Sequence, residues 1–299
     1  MSGATTSARV ETPFLRFVRQ FAESRVAILA LLGLVTVLLA ALLAPWITPQ
    51  NPYDLAQLDI MDGNLAPMSE SFSGAVYWLG TDDQGRDMLS AIIYGIRISL
   101  AVGAGSTLAA LVIGCTVGLI AAFYGGRLEN IAMRIVDLQL SFPAILVALI
   151  LLAVLGRGVD KVLVALIIVQ WAYYARTVRG AALVERRKEY IEAVRCLALS
   201  HRRILFRHLL PNCLPPVIVV ATVQVGNAIA LEATLSFLGV GVPITEPSLG
   251  LLIANGYEYL LSGQYWISFF PGVALLLIIV CINLVGDQLR DVLNPRLQR

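Results

Sequence analysis

Few side chains in this 299-residue chain are equipped for covalent chemistry. It has two histidines, His201 and His208, and two lysines, Lys161 and Lys188. Neither lysine follows a glycine, so the G-x-x-x-x-G-K-[ST] loop that cradles phosphate is absent. H-E-x-x-H is absent too, which excludes a zinc-hydrolase helix, and so is the G-x-S-x-G nucleophile elbow. The four cysteines (Cys115, Cys196, Cys213, Cys281) lie far apart without a C-x-x-C pair. They read as small apolar side chains rather than metal ligands or a redox couple. No catalytic residue, metal ligand or cofactor is assigned within this chain.

Three polar features stand out against an apolar background. The first is EYIEAVRCLALSHRRILFRHLLPN, Glu189–Asn212, a mostly basic run. The second is Glu232 in GNAIALEATLSFLGVG, a lone acid without a partner at helical spacing. A buried ionisable group in a membrane helix is expensive, so Glu232 is either hydrogen-bonded to a neighbouring helix or a gate or pathway residue. The third is the turn-rich TDDQGRD, with Asp82, Asp83, Arg86 and Asp87. Here Asp82 or Asp83 caps a following helix, or the four side chains form a docking or gating surface. Asp137 is a lesser candidate. It lies three residues from Arg134 and is expected to pair with it along one helix face.

The elements that must hold these residues are membrane spans. The chain is 58% hydrophobic and 14% charged, with a mean hydropathy of +0.78; a soluble domain carries about 25% charge. Apolar runs of about 20 residues cross a bilayer as helices, the form that satisfies every backbone amide internally. Six are predicted: Val26–Trp46, Ile98–Phe123, Ile135–Leu155, Val162–Ala175 (extending through Val178), Val217–Val240 and Ile267–Val285. The fold class is all-α and polytopic. Residues 1–25 form an N-terminal segment and 26–46 the first span, read as uncleaved because it exceeds a signal-peptide core. Residues 47–96 form a loop and 97–299 a five-helix core with a polar segment at 179–212.

Eighteen Lys and Arg residues fall on one side of these spans and three on the other, with Arg97 at an edge. The richer side, with both termini, is predicted to be cytoplasmic. The 47–96 loop is then external, with a net charge of −6. Its prolines and glycines suggest an ordered irregular loop rather than a domain.

The Glu189–Asn212 run reads as helix, turn, helix. Tyr190, Ile191, Val194, Leu197 and Ala198 make a narrow apolar face. Ile204, Leu205, Leu209 and Leu210 make a second, stopped by Pro211, with Pro215–Pro216 opening the fifth span. Nine Lys and Arg face three acids between Arg176 and Asn212. Such a segment could rest on anionic lipid, could be ordinary loop charge, or could dock into a groove on a cytosolic protein.

At this point the sequence resembles a family. The run is similar to the E-A-A loop of bacterial ABC importer permeases, in which E-A-A-x-x-x-G precedes a later L-P. Glu192, Ala193 and Val194 occupy the E-A-A positions and Leu210–Pro211 close the motif; Ala198 stands where glycine is usual. LGTDDQGRDMLS, GGRLENIAMRIVDLQLSFPAIL, LEATLSFLGVGV and GDQLRDVLNPR resemble the dipeptide, oligopeptide and nickel branch, specifically its second, C-type permease. The tail reads N-P-R where D-P is usual.

The resemblance implies a type I importer architecture and a second homologous permease completing the pathway. It also implies two cytosolic ATPases that bind ATP and magnesium, an extracytoplasmic substrate-binding protein, and surrounding lipid. No nucleic-acid partner is expected. Glu192, Ala193, Val194, Ala198, Leu210 and Pro211 would couple to the ATPases. Peptide is the expected substrate, with nickel or another small solute as alternatives. Two other classes remain: an ion-coupled carrier using Glu232, and a membrane scaffold.

Overall fold

The computed structural model describes residues 13–293 except 72, 73, 75, 244 and 247. Arg9, Arg296, Arg299 and the N-P-R tail lie outside the described residues.

The amphipathic α1 (Pro13–Ala22) precedes α2 (Arg25–Leu42), an apolar helix whose first turn is capped by Ser24 Oγ accepting from the Ala27 amide. Leu29, Leu32, Leu39 and Leu42 face outward, while Ala27, Ala30 and Ala41 are buried. Small inward residues let this helix lie close to α12 (Trp266–Leu293). Gln288 fastens α1 to α12 by donating to the Gln20 carbonyl at 3.2 Å.

After the short α3 (Ala44–Ile47), residues 48–87 form an ordered cap with two single 3-10 turns and a small hairpin, β1 (Ser69–Glu70) with β2 (Val76–Tyr77). It leads into α4 (Met88–Tyr124), which starts ten residues before the predicted span. At about 1.5 Å per residue its 37 residues reach ~55 Å, well beyond a bilayer core. The early start has a local cause. Asp87 Oδ2 accepts from the Ser90 amide at 2.8 Å and its hydroxyl at 2.5 Å, capping the first turn.

The predicted third span is broken. Helices α5 (Gly126–Ser141) and α6 (Ala144–Leu155) meet at a 92° bend. Pro143 has no amide to continue the ladder and forces the preceding Phe142 into an extended conformation, φ −94° and ψ 141°. Both pieces pack on α7 (Val159–Glu185): Glu129 of α5 bonds Arg179, and Ala148 and Leu152 of α6 share a core with Val162 and Leu166. Five helices, α2, α4, α7, the α9–α10 run and α12, are long and apolar enough to cross a membrane, and the bent pair makes a sixth if it counts as one span. Asp137 pairs with Arg176 on α7 rather than with Arg134, because α5 packs on α7 through Met133, Val136 and Leu140.

The most extensive packing in the bundle joins α4 and α7. A side chain on Gly114 or Gly118 would collide with the α7 backbone at Trp171 and Ala175. Glycine is required there by proximity, the small-residue device of membrane helix pairs.

Beyond α7 the chain forms α8 (Glu189–Cys196), then α9 (His201–Arg203), a π-helical turn (Ile204–Leu209) and α10 (Leu210–Phe237) without a break. Pro211 thus does not stop the helix, and Pro215 and Pro216 lie inside it. The wide π-turn has the Leu210 amide donating five residues back to Leu205. That loosens the ladder where Pro211 supplies no amide. Asn212 Nδ2 then satisfies the His208 carbonyl at 2.6 Å. The short α11 (Leu249–Tyr257) folds back on α10 and α12 before α12 completes the bundle.

Candidate functional site

Three polar regions occupy three levels of the bundle. At the basic end, α8 lies across the ends of α4, α7 and α10. Ile191 is fully buried among Val178, Ala182, Leu205, Leu209 and Cys213, with Tyr190 and Val194 beside it. Burying one such side chain contributes about 1.5–3 kcal/mol, enough to hold a two-turn helix in place. Tyr190 donates to Glu185 Oε2 at 2.9 Å, and Lys188 pairs with Glu185 Oε1 at 2.6 Å. Burial, then the bond to Glu185, pushes the Tyr190 phenol up to about 12. It therefore remains a donor at neutral pH.

Among the described residues, none covers the opposite face of α8. Glu192 and Ala193 are exposed, and the Glu192 side chain has no partner among the described residues. Leu197, expected on the inner face, is 71% exposed, and Leu199 takes its place inside. Cys196 is likewise exposed. Of the residues closing the motif, Leu210 is half-buried and Pro211 exposed.

The turn after α8 explains the missing glycine position. The Ala198 amide donates to Arg195 at 2.9 Å and the Leu199 amide to Val194 at 3.4 Å. This is a Schellman cap, and Ala198 sits at its left-handed residue with φ +53°. Alanine is held where glycine is favoured, supported by Val194 and Leu199 packing into the same core. Arg195 lies 5.7 Å over the Phe123 ring, which also meets His201 edge-on.

At the other end, Glu232 lies five residues before the end of α10, ~7.5 Å at the usual helical rise. It is fully buried, and both oxygens are satisfied: Ser99 of α4 donates to Oε2 and Ser236 to Oε1, each at 2.8 Å. Ser248, which caps α11 by accepting from the Leu251 amide, is a third hydroxyl against the same carboxylate. One acid thus ties together α4, α10 and the start of α11. The hydrogen-bonded alternative describes its geometry, with partners on two other elements. The sequence signal was weak, because serine is common in any helix.

The TDDQGRD turn is mostly interior. Asp82 and Arg86 form a buried pair at 2.7 Å, with side chains 0% and 2% exposed, and Asp82 also accepts from the amides of Gln84 and Arg86. Asp87, not Asp82 or Asp83, is the helix cap. A docking surface made of all four side chains does not exist in this chain, because three of them are used to fold the turn. Only Asp83 reaches an open cleft of about 460 Å3, with Arg157, Glu258 and Tyr259. Burial and the adjacent Asp82 hold the Asp83 carboxyl above its ordinary range. The cap is fastened to the bundle by Trp266 Nε1 donating to the Thr81 carbonyl at 3.1 Å.

Between these ends, Gln170 and Tyr173 of α7 face Gln224, Asn227 and Thr234 of α10 across a groove of about 420 Å3 beside the start of α6. These residues were not singled out in the sequence. Their signal was the recurrence of Gln224, Asn227 and Thr234 at helical spacing within an apolar run.

Comparison with known proteins identifies what carries such an arrangement. Residues 114–299 match the family described as binding-protein-dependent transport system inner membrane component. Residues 12–67 match the N-terminal membrane domain of oligopeptide transport permease C. The chain belongs to this permease family.

The permease is 36% identical over 288 residues to the di/tripeptide transport system permease protein DppC of Pseudomonas aeruginosa, covering 96% of this chain and 93% of that one. It is 33% identical to the dipeptide transport system permease protein DppC of Haemophilus influenzae over the whole of both chains. It is 38% identical to the glutathione transport system permease protein GsiD of Pectobacterium atrosepticum, covering 97% and 93%. In fold it is similar to a chain of the MetNI methionine ABC transporter, described as inward facing. The TM-score is 0.57 and the identity 23%, with 69% of this chain and 98% of that chain covered. The permease is thus a multi-pass membrane protein of a transport family rather than a catalytic one.

Proposed function

We propose that this permease imports di- or oligopeptides across a bacterial inner membrane, with both termini and α8 on the cytoplasmic side. The observation that carries the reading is α8 itself, anchored through Ile191 while Glu192, Ala193 and Leu197 are exposed, with none of the described residues covering them. An anchored helix with an exposed acidic and apolar face is the form that enters a partner's groove. The partners would be two cytosolic ATPases holding ATP and magnesium, a second homologous permease completing the pathway, and an extracytoplasmic binding protein. Lipid would cover the remaining apolar surface. Closure of the ATPases would move α8, and α8 would move α7 and α10 through its buried contacts, shifting the bundle between two access states.

Peptide as the substrate is supported by the relatives, which are di/tripeptide, dipeptide and glutathione transport permeases by name. Ion coupling is disfavoured by Glu232, which is sealed among serines near one end of a helix rather than facing a path. Nickel and other small solutes remain the alternatives for the assay to distinguish. Affinity purification of the tagged permease from its native membrane, followed by mass spectrometry and ATPase assay, tests the reading. A second permease and one or two ATPases, with hydrolysis stimulated by peptide plus binding protein, is the expected result. A permease that purifies alone under mild detergent and still transports would overturn it.

A further inference from the structure

The groove between α6, α7 and α10 contains something hydrocarbon does not tolerate. Gln170 is 3% exposed; its Oε1 accepts from Thr107 Oγ1 at 3.1 Å, while its Nε2 has no partner. Across the groove Asn227, itself exposed, donates through Nδ2 to Gln224 Oε1 at 2.8 Å. In lipid an unsatisfied amide is strongly penalised. Carboxamides at this depth are stable where water or a polar ligand meets them.

The chemistry of the lining narrows the ligand. No charged side chain borders the groove; its polar groups are carboxamides, a phenol and a hydroxyl. A divalent cation would favour carboxylate or imidazole ligands, and neither is present there. Carboxamides offer an adjacent donor and acceptor, which is what a peptide bond complements with its C=O and N–H. Neutral groups also suit a transit station, because they hold a backbone without trapping a charged terminus or selecting among side chains.

We propose that this groove is a transit subsite for the peptide backbone, in which Gln170 Nε2 donates to a peptide carbonyl and Asn227 Oδ1 accepts from a peptide N–H. The assignment rests on the peptide-import reading above and adds the residues and the chemical group they recognise.

The test compares a tripeptide with its depsipeptide counterpart, in which an ester oxygen replaces one backbone N–H. Uptake of both is measured in proteoliposomes holding the complete co-purified complex and its binding protein. The wild type is compared with Asn227→Leu and Gln170→Met. The binding protein is identical throughout, so its own preference cancels when amide-to-ester uptake ratios are compared between complexes. Asn227 is exposed on α10, so its replacement leaves the core intact.

Asn227→Leu should lower the ratio about fivefold, the equivalent of ~1 kcal/mol for one net hydrogen bond. Gln170→Met should lower uptake of both substrates together, since both retain the carbonyl. An Asn227→Leu complex that keeps the wild-type ratio overturns the proposal. A wild-type complex that hydrolyses ATP but moves neither substrate fails at an earlier point, removing the peptide reading and the subsite with it.

Discussion

Ala198→Gly isolates a single backbone conformation at the end of α8. Ala198 has φ +53° and closes the Schellman cap of α8. An L-residue in the left-handed region carries about 1–2 kcal/mol of strain, which glycine lacks. Glycine also gives the unfolded chain more freedom, offsetting about 0.4–1 kcal/mol of that gain. Ala198 is exposed, so its methyl contributes no core packing. The net expectation is a turn stabilised by about 0.5–1 kcal/mol, a factor of ~2–5 in its opening equilibrium. Hydrogen exchange reads this directly, because the Ala198 and Leu199 amides make the two capping bonds. Both should exchange about two- to fivefold more slowly in Ala198→Gly, while amides within α4 keep their rates. Ala198→Val, branched at Cβ, should accelerate them. Equal or faster exchange in the glycine variant would show that the turn is not left-handed at this residue, and the strain argument would fail.

Glu192→Lys should leave membrane insertion and expression unchanged while abolishing transport, measured by uptake against membrane-fraction yield; normal uptake would remove its coupling role. Arg86→Met leaves Asp82 charged and buried without its partner, which should destabilise the 48–87 cap by about 3–5 kcal/mol and lower the yield of monodisperse protein. Asp83 responds to pH in a defined direction. Its folded-state pKa is raised, so its contribution to stability is greatest when protonated and is lost as pH rises through the raised value. Asp83→Asn should therefore raise thermal stability at pH 7, with the gain shrinking toward and below the ordinary aspartate range; a gain constant with pH would contradict the assignment. Gly118→Leu should force α4 from α7, costing at least the ~1–3 kcal/mol of an overpacked core, seen as a lower melting temperature of the detergent-solubilised protein.

The apolar runs placed five of the six predicted spans, because a bilayer demands about 20 apolar residues and an internally bonded backbone whatever the neighbours do; the third run became the bent α5–α6 pair. The spacing of the Glu189–Asn212 run placed a short helix at α8 for a similar reason: Tyr190, Ile191 and Val194 needed a common buried face. Leu197 was misplaced because periodicity does not say where a helix ends: α8 stops at Cys196, and Leu199, beyond the left-handed turn at Ala198, packs on the core while Leu197 stays exposed.

Pro211 was read as a stop because its local rule is strong; the π-turn that accommodates it is a property of the helix ahead of it. Asp137 illustrates the same limit. Arg134 was the nearest partner in sequence, but the packing of α5 on α7 brings Arg176 to Asp137. Glu232 found Ser99 only because α4 and α10 cross there, 133 residues apart along the chain. Local patterning sets which segments must leave water. Which polar groups then meet inside is decided by how the helices cross, and that is where Gln170 and Asn227 came to share a groove.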